Sequence, residues 1–521
     1  MTRVIVIGGG IAGLATSALL ARDGHEVTVL ERHRRLGGRA GIVEEQGFRF
    51  DTGPSWLLMR EVFDHFFELL GTSTEAQLDL RLLDPGYQVF AEPDGTCGRR
   101  VITVPHGIDA VAAVFEGLEP GGGSAVRRYV ESAGRTAEAA IKRFLYNPFT
   151  RVTSVLGRDV LRASPALLRL VSTTLEKFIN RRFLHPSLRR ILAYPAVFLG
   201  TDPKRAPAIY HLLSAFDLDQ GVFYPMGGFW ALVERLEALA RRAGVTVVTS
   251  AEVTEVLTED EGGRLAARGV RWVESSGGVR TIFADAVVSA ADLHHTETEL
   301  LDPPARSYPE SWWAKVDSGP GAIIALLGVE GSVPQLGHHS LFFTDDWDAN
   351  LQAIFGTDTK VPEPASLYVS KTSATDPTVA PDGCENLFVL IPVPPDVEIG
   401  CGGRDGDGAP EVEAAVDAAI ERIGDWAGVA DLRDRIRLRR TIGPADFAEG
   451  FHSWKGGMLG PSHTLRQSAF LRPQNASRRV DGLYFAGATT APGIGVPMCL
   501  ISAELVAKRI RGDHTAGPTP V

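Results

Sequence analysis

Residues 3–39 read RVIVIGGGIAGLATSALLARDGHEVTVLERHRRLGGR, and this stretch decides the fold. The β-branched run 3–7 predicts a strand that is buried on both faces of a parallel sheet. A helix is predicted over 12–22 and a second strand over 25–30. Together they form a βαβ unit of about thirty residues with its glycines at the first turn, which is typical of a nucleotide-binding α/β fold.

The spacing of the glycines gives each of them a separate task. Gly8 permits the tight turn, Gly10 lets the backbone approach a pyrophosphate, and Gly13 lets the helix pack on the strand. The phosphates then lie at the positive end of the helix dipole. Glu31, at the end of the second strand, can accept hydrogen bonds from a ribose diol and disfavours the 2′-phosphate of NADP.

The residues after Glu31 favour FAD over NAD. Gly37, Gly38 and Arg39 follow the ribose site, where the backbone must approach the cofactor again and a guanidinium can meet its pyrophosphate. A simple NAD dehydrogenase rarely needs this second approach. Because two glycines are also compatible with an ordinary turn, the unit by itself leaves both cofactors open.

A second strand–glycine–helix unit lies at 481–510, DGLYFAGATTAPGIGVPMCLISAELVAKRI. A strand is predicted over 483–486, a rigid turn over 487–497 and an amphipathic helix over 499–510. The backbone amides that open this helix can place its positive end against an electron-rich ring. A flavin that becomes anionic on reduction is such a ring.

Composition narrows the class of protein. A chain of 521 residues is too long for one hydrophobic core, so we expect two or more domains. The net charge of −11 argues against general nucleic-acid binding. The four cysteines form no CxxC pair, which predicts no zinc site and no disulfide framework and favours a reducing cytoplasm. We expect no signal peptide, and no apolar run approaches the length of a membrane-spanning helix.

Positive charge is concentrated in the segment 142–190. This segment carries eleven Lys and Arg against two acids, and its apolar residues recur at helical spacing. Two interpretations stay open. The segment is either an amphipathic lid whose basic face is solvated, or a surface that lies among anionic lipid headgroups.

Motifs along the whole chain extend the pattern of the first unit. They are ERHRRLGGR at 31–39, FDTGPSW at 50–56, GVFYPMGGFWALVERL at 221–236, SAAD at 289–292 and HTLRQSAFLRPQNASRRVDGLYFAGATTAPGIGVP at 463–497. Taken in order from residue 1 to about 510, these motifs resemble those of the bacterial phytoene desaturases, within the flavin-containing amine oxidase superfamily.

The resemblance implies how FAD is held. The region 54–56 would lie near the isoalloxazine ring, and Val253 would contact the adenine through its backbone. Gly487 and Ala488 would approach the ribityl and pyrophosphate side, and 495–498 the pyrimidine edge. The full set of implied FAD-binding residues is Gly8, Gly10, Gly13, Glu31, Arg32, Gly38, Arg39, Pro54, Ser55, Trp56, Val253, Gly487, Ala488, Gly495, Val496, Pro497 and Met498. No metal site is implied.

Because both ends of the chain would serve one cofactor, the expected α/β architecture is interleaved. A Rossmann-type FAD-binding domain would alternate with a helical, membrane-facing lid and with a substrate-binding sheet domain. The basic segment 142–190 is the candidate membrane surface of the lid. We expect the FAD-binding domain to comprise 1–85, 225–305 and 440–515. The lid with its substrate region is expected over 86–224, and the substrate-binding sheet domain over 306–439.

The resemblance also implies a reaction. The protein would desaturate a C40 carotene, converting phytoene into products of the neurosporene or lycopene type. A hydride would leave one carbon for the flavin, and a proton would leave the adjacent carbon. We expect a cytoplasmic protein on the inner face of the cell membrane that draws the carotene from the bilayer. Since no NAD site is predicted, the electrons would pass to a quinone, oxygen or another lipid-soluble acceptor.

Three other functions share this scaffold and stay open. A carotene cis–trans isomerase would use reduced flavin without net oxidation, and a flavin amine oxidase would need an aromatic cage and normally a lysine near the ring. A Rab-escort-type lipid carrier would lack FAD, so the glycine motifs at both ends argue against it. The candidate catalytic bases, among which the sequence makes no choice, are His338, His339, His452, His463, Asp217, Asp219 and Asp376.

Overall fold

The structure, a computed structural model, describes residues 2–93, 100–150 and 168–521. The strands are β1 (Arg3–Ile7), β2 (Glu26–Leu30), β3 (Ile42–Glu45), β4 (Phe48–Asp51), β5 (Leu80–Leu82), β6 (Tyr87–Ala91), β7 (Arg100–Val104), β8 (Phe223–Pro225), β9 (Thr246–Val248), β10 (Ala251–Asp260), β11 (Leu265–Glu274), β12 (Val279–Phe283), β13 (Ala286–Ser289), β14 (Gly321–Glu330), β15 (His339–Phe343), β16 (Leu367–Ser370), β17 (Cys384–Val393), β18 (Ile436–Ile442), β19 (Val480–Asp481) and β20 (Leu483–Phe485).

The helices lie between these strands, except the last one, which follows β20. The α-helices are α1 (Ile11–Arg22), α2 (Arg60–Leu69), α3 (Thr74–Gln77), α4 (Ile108–Leu118), α5 (Gly122–Ala140), α6 (Leu175–Asn180), α7 (Pro186–Ala193), α8 (Pro195–Phe198), α9 (Leu213–Ala215), α10 (Phe229–Arg242), α11 (Leu293–Thr298), α12 (Glu310–Trp313), α13 (Trp347–Phe355), α14 (Pro410–Ala427), α15 (Pro444–Phe451) and α16 (Val496–Arg511). Two single π-helical turns span Ile141–Leu145 and Phe216–Gln220. Within the described ranges, no helix combines the length and the apolar character that crossing a membrane requires.

A parallel sheet in the order β20–β13–β1–β2–β9 forms the first layer. Val4 and Val6 pack with α1, α10 and α16 on one face of this sheet. Ile5 and Ile7 pack on the opposite face with β10 and β11. The expected strand with two buried faces is therefore confirmed, and the helix expected from residue 12 begins at Ile11.

The strands of this parallel sheet come from three distant parts of the chain. β1 and β2 lie near its start, β9 and β13 near its middle, and β20 near its end. Because all five strands run in the same direction, their carboxyl ends meet at one edge, which is where parallel α/β sheets bind ligands. The expected α/β class with a Rossmann-type unit is confirmed.

A second sheet in the order β18–β14–β17–β16–β15–β6–β7 is antiparallel except where β15 and β6 pair in parallel. Successive residues of β14 point to opposite faces, as the strand geometry requires. Ile323 and Leu327 pack on one face with α14. Ile324 and Leu326 pack on the other face with α4, α5 and α7.

This sheet includes strands that the sequence prediction placed elsewhere. β6 and β7 belong to it, although 86–224 was expected to be a helical lid, and β18 begins at Ile436, before the expected limit at 440. β6 forms its parallel ladder with β15, a partner far along the chain that local patterning does not identify. The remaining elements described in 86–224 are mostly helices, and the exact domain limits stay a prediction.

The basic segment 142–190 lies partly outside the described residues. In its described part, Leu175 and Phe178 of α6 are buried. Arg182 places its guanidinium 3.6 Å from the centre of the Phe178 ring and donates to the Phe178 carbonyl at 2.6 Å. One of the basic groups thus packs on the body of the protein, and the contact of this segment with lipid stays a prediction.

Candidate active site

One mostly apolar cavity of about 910 Å³ extends from the parallel sheet to the antiparallel sheet. This volume lies at the upper end of the range of ligand sites, about 300–1,000 Å³. Ile7 and Leu30, at the carboxyl ends of β1 and β2, lie in its wall together with Ala290, which follows β13. Ile324 and Leu341 line it from the antiparallel sheet. The cavity therefore occupies the edge of the parallel sheet at which a nucleotide is expected.

The first turn presents bare backbone to this cavity. Gly8 has a φ of +94°, which favours glycine. Gly10 lines the cavity, and a Cβ there would approach the protein only to 3.8 Å, so an added side chain would enter the cavity. Gly13 lies outside the lining, but a Cβ at Gly13 would overlap the Gly8 carbonyl oxygen. The turn at Gly8 and the close helix packing at Gly13 therefore agree with the spacing, and contact between Gly10 and a ligand stays a prediction.

Glu31 is held in a fixed orientation at the end of β2. Only 5% of its surface is exposed. Its Oε2 accepts a hydrogen bond from the Gly9 amide at 2.7 Å, and its Oε1 accepts one from the His33 amide at 2.8 Å. Each oxygen keeps a free lone pair. The buried carboxylate can thus bind a ribose diol without a change of rotamer.

Arg39 carries an unsatisfied donor into the cavity wall. Its Nη2 lies 3.8 Å from Asp292 Oδ2 and donates to Ser453 Oγ, while its Nε has no partner among the described residues. Burial lowers the pKa of Arg39 and raises that of Asp292, and the charge of each partly opposes the shift of the other. A partly buried guanidinium that is not fully paired within the protein is suited to an anionic ligand such as a pyrophosphate.

The sequence prediction missed Asp292, which lines the cavity, and Ser453, which lies outside the lining but contacts Arg39. Asp292 lies three residues after β13, and β13 pairs in parallel with β1. The SAAD motif together with that pairing could have placed this carboxylate near the glycine turn. No local pattern links Ser453 to Arg39.

Arg32 lies at the end of the cavity that contains Val253. Its Nη1 donates to the Glu449 carbonyl at 3.0 Å and lies 2.6 Å from His452 Nε2. The ring of His452 stacks on that of His295, with 3.8 Å between their centres. Arg32, Val253, His295 and His452 all line the cavity, although Arg32 is already bonded to the protein.

The glycine turn before α16 closes another side of the cavity. Gly487, Ala488 and the residues 495–498 line it, and α16 begins at Val496 after Gly495, whose φ is +120°. The first amides of a helix have no partner within it, so they can face a ligand. This is the helix opening that the sequence predicts for a flavin edge.

His463 orients this turn. Its Nε2 accepts a hydrogen bond from the Ile494 amide at 3.2 Å, so the ring proton is on Nδ1 and is donated to the Tyr210 hydroxyl at 2.8 Å. Burial lowers the pKa of His463 well below its ordinary value. His463 is therefore a neutral positioning residue with both ring nitrogens engaged, and this excludes it as the base.

Trp56 stands in an aromatic cluster where the region 54–56 lines the cavity. Its ring stacks on His339 at 4.6 Å between centres, and the Tyr368 hydroxyl donates to Ser55 Oγ at 2.9 Å. The other rings that contact Trp56 belong to Tyr87, Tyr194, Phe198 and Tyr368. The expected ring-contacting region is thus joined to the antiparallel sheet.

The structure separates the candidate bases. Asp217, His452 and His463 line the cavity, whereas His338, His339, Asp219 and Asp376 do not. The Asp376 carboxylate accepts hydrogen bonds from the Gly227 and Thr378 amides, which is a structural role. Asp219 is exposed. Of the three candidates that line the cavity, His463 is engaged through both ring nitrogens, and the Nε2 of His452 contacts the positively charged Arg32. Asp217 is the remaining candidate.

The residues of the site fit FAD. Every residue of the expected FAD-binding set except Gly13 lines this one cavity. The bare backbone at Gly10, the fixed carboxylate of Glu31 and the free donor of Arg39 match the pyrophosphate and ribose of a dinucleotide. The opening of α16 lies at the same cavity, as a flavin edge requires.

Comparisons with known proteins agree with this geometry. The family model for flavin containing amine oxidoreductase matches residues 11–511. A carotenoid 3,4-desaturase of Haloarcula japonica is 41% identical over 511 residues, which cover 98% of each chain. A zeta-carotene-forming phytoene desaturase of Myxococcus xanthus is 34% identical over 98% of this chain and 93% of its own. The solved structure of cyclohexylamine oxidase from Brevibacterium oxydans matches with a TM-score of 0.56 at 15% identity, covering 98% of this chain and 99% of that one.

The chain belongs to the flavin-containing amine oxidoreductase family, and it is an FAD-dependent oxidoreductase. Within that family, the expected resemblance to carotenoid desaturases is confirmed by two relatives that match over nearly their whole length, one named a carotenoid 3,4-desaturase and the other a phytoene desaturase.

Proposed function

We propose that this oxidoreductase desaturates a C40 carotene. As the sequence leads us to expect, it would convert phytoene into products of the neurosporene or lycopene type. The observation that carries the proposal is the continuous apolar cavity, whose wall runs from Gly10 and Gly495 to the antiparallel sheet. The names of the two full-length relatives support a carotenoid as the substrate class.

The cavity suits a hydrocarbon that reacts beside a flavin. Bound FAD supplies a two-electron acceptor that takes a hydride from carbon. Leu341, Phe343, Leu367 and Leu390 line the cavity from the antiparallel sheet. These side chains align an apolar chain by shape and exclude water. Glu31 and Arg39 hold their charges where the ribose and pyrophosphate are expected.

An amine substrate has less support. The lysine that a flavin amine oxidase normally carries near its ring has no counterpart here, because no Lys of the described residues lines the cavity. The likeness to an amine oxidase structure at 15% identity concerns the fold alone.

A second candidate differs only in the bond that is desaturated. The relative at 41% identity is named a 3,4-desaturase, whereas the one at 34% is named for forming zeta-carotene from phytoene. The higher identity favours the 3,4 bond of a carotenoid.

A substrate panel tests both candidates. FAD-loaded protein is incubated with phytoene or with lycopene in liposomes, and the extracted products are identified. We expect a longer conjugated polyene from at least one substrate, and the productive substrate identifies the bond. An isomerised carotene of unchanged hydrogen content would instead indicate the isomerase, and an unchanged panel would overturn the proposal.

We further propose that the cytoplasmic protein binds the inner face of the membrane through an apolar rim, defined as Leu465, Phe470 and Leu471. These residues line the cavity and are also exposed, with 57% of Phe470 accessible. A hydrocarbon could pass from the bilayer into the cavity across this rim without meeting water. The electrons taken from the substrate would leave to a lipid-soluble acceptor, a quinone or oxygen.

Replacing the rim should weaken membrane binding. Full burial of one large apolar side chain is worth about 1.5–3 kcal/mol, so the double variant Phe470→Ser/Leu471→Ser should lower the liposome partition coefficient by roughly tenfold or more. Co-sedimentation with anionic liposomes measures this coefficient. The matched control is Val279→Ser/Phe283→Ser, because both of these residues are 63% exposed and lie outside the cavity lining. Equal loss of binding in both variants would contradict the rim as the docking site.

A further inference from the structure

A carboxyl group lies in the cavity wall with one of its oxygens free. Asp217 lies in the π-helical turn Phe216–Gln220, and 5% of its surface is exposed. Its Oδ2 accepts hydrogen bonds from the Tyr87 hydroxyl at 3.2 Å and from the Tyr194 hydroxyl at 3.0 Å. Its buried Oδ1 has no partner among the described residues. One oxygen is therefore anchored, and the other is a buried acceptor that the described part of the protein leaves unpaired.

The surroundings of Asp217 connect it with the expected ring-contacting region. The rings of Tyr87 and Tyr194 lie 5.2 and 6.0 Å from that of Trp56, which itself lines the cavity. Tyr194 and Phe198 add further aromatic surface to the same wall. Aromatic faces stabilise a cation that lies within about 6 Å of a ring centre. A wall of aliphatic side chains does not provide this stabilisation.

The protonation of Asp217 is set by burial. Desolvation raises its pKa to about 7, and the hydrogen bonds from Tyr194 and Tyr87 act in the opposite direction. Among the described residues, these tyrosines, on β6 and after α7, are the titratable groups that act on the carboxyl. Burial and the adjacent carboxylate raise the pKa of both tyrosines well above their ordinary value, so they remain neutral donors.

On the basis of the proposed carotenoid desaturation, we propose that Asp217 is the catalytic base, with Oδ1 accepting the proton that the substrate loses. One C–H bond breaks as its hydrogen leaves with the electron pair for the oxidant, bound FAD. The adjacent C–H bond then breaks as its proton passes to Asp217 Oδ1, and its electron pair forms the new C=C bond. The carboxyl group later releases the proton to solvent.

The cation formed by hydride loss makes a weak base sufficient. A proton next to an allylic cation is strongly acidic, so a carboxylate can remove it. Asp217 also supplies a negative charge in an apolar wall, where charge interactions are stronger than in water. Single-turn π-helices occur frequently at functional sites, and this one places the carboxyl in the cavity wall.

The test compares Asp217→Asn with Asp217→Glu and with Asp219→Asn, a matched control at an exposed position two residues away. In the wild type, we expect the rate of desaturation to rise with pH through a midpoint near 7, as the carboxyl loses its proton. Asp217→Asn should lower this rate by about 10²–10⁴-fold and abolish the midpoint. FAD content and KM should stay unchanged, and Asp217→Glu should restore part of the rate with a shifted midpoint.

The Tm of the protein measures the titration of Asp217 independently of catalysis, because thermal unfolding requires no turnover. The carboxyl has a pKa of 3.8 in the unfolded chain and about 7 when folded, so its contribution to stability is complete below pH 3.8 and is lost as the pH rises to about 7. The Tm of Asp217→Asn should therefore rise relative to the wild type across this window and level off above it. The same Tm difference at every pH would contradict a buried, titrating Asp217.

The outcomes separate the two proposals. A wild type that desaturates a carotenoid while Asp217→Asn keeps its rate and pH midpoint would overturn the role of Asp217 and leave the proposed function standing. An FAD-loaded wild type that desaturates no carotenoid would overturn both.

Discussion

Gly10→Val should reduce FAD affinity on the order of a hundredfold, a loss of about 2.7 kcal/mol, while the protein still folds. Gly10 has φ −74° and ψ −179°, an extended conformation that any residue adopts. A Cβ would meet Gly37 and Gly38 at 3.8 and 3.9 Å, which are ordinary contacts. The valine methyl groups would instead occupy the cavity beside the start of α1, where the pyrophosphate is expected.

The measurement is the flavin absorbance that remains with the protein after gel filtration, together with the Tm of the apoprotein. Gly134→Val is the matched control, because a Cβ at Gly134 in α5 meets nothing within 4 Å. We expect the control to retain FAD. If Gly10→Val bound FAD like the wild type, the pyrophosphate would have to lie elsewhere.

Arg472→Met should destabilise the protein by about 3 kcal/mol or more, because hydrogen bonds from a charged donor contribute about 1.5–3 kcal/mol each. Arg472 is fully buried, and it donates to the carbonyls of Thr490, Pro461, Gln467 and Ala488 at 2.7–3.3 Å. Burial lowers its pKa to about 10, so it remains charged at neutral pH. The guanidinium thereby joins the 461–472 block to the turn before α16.

Thermal or denaturant unfolding measures this loss, and FAD retention should fall with it because Ala488 lines the cavity. Arg472→Lys should restore little, because a single ammonium cannot reach the carbonyls that a planar guanidinium reaches. Arg466→Met, at an exposed position in the same block, should leave both the Tm and FAD retention unchanged. Equal unfolding midpoints for the variants at 466 and 472 would show that this network does not stabilise the turn.

The sequence alone predicted the parts of the site that depend on local backbone conformation. Gly8, Gly10 and Gly13 are separated by a few residues, and their spacing is tied to one turn and one helix. Glu31 follows from the length of the same βαβ unit. The turn before α16 was recognised for the same reason, since its glycines and its helix are contiguous.

Contacts between distant segments were less accessible. Asp217 was one of seven candidate bases, and only the folded chain brings it between Tyr87 and Tyr194. The pairing of Arg39 with Ser453 likewise depends on the packing of α15 and the turn after it. Such contacts require the register of a large sheet, which hydrophobic periodicity does not specify.

Charge patterning showed where the basic side chains are concentrated but not what they contact. Arg182 packs on Phe178, and Arg190 donates to the Asp345 carbonyl at 2.7 Å. A guanidinium that already donates hydrogen bonds to the protein has fewer free donors for a lipid headgroup. The sequence does not predict the apolar rim at Leu465, Phe470 and Leu471, because three apolar residues in a polar block show no helical or strand periodicity.

Fold likeness does not choose between amine, carotenoid and lipid-carrier functions, since one scaffold hosts unrelated chemistries. The apolar wall, the absence of a lysine among the described lining residues and the free oxygen of Asp217 are what distinguish this site. They favour a substrate that is positioned by shape and that loses a proton to a weak base.

The most direct test of the account is the stoichiometry of one anaerobic turnover. FAD-loaded protein is mixed with the productive carotenoid in liposomes, and flavin absorbance and product are followed together. Desaturation predicts one flavin reduced for each new C=C bond, with bleaching and polyene absorption rising at the same rate. A changed carotenoid with fully oxidised flavin, or flavin bleached by an amine and not by any carotenoid, would contradict the account.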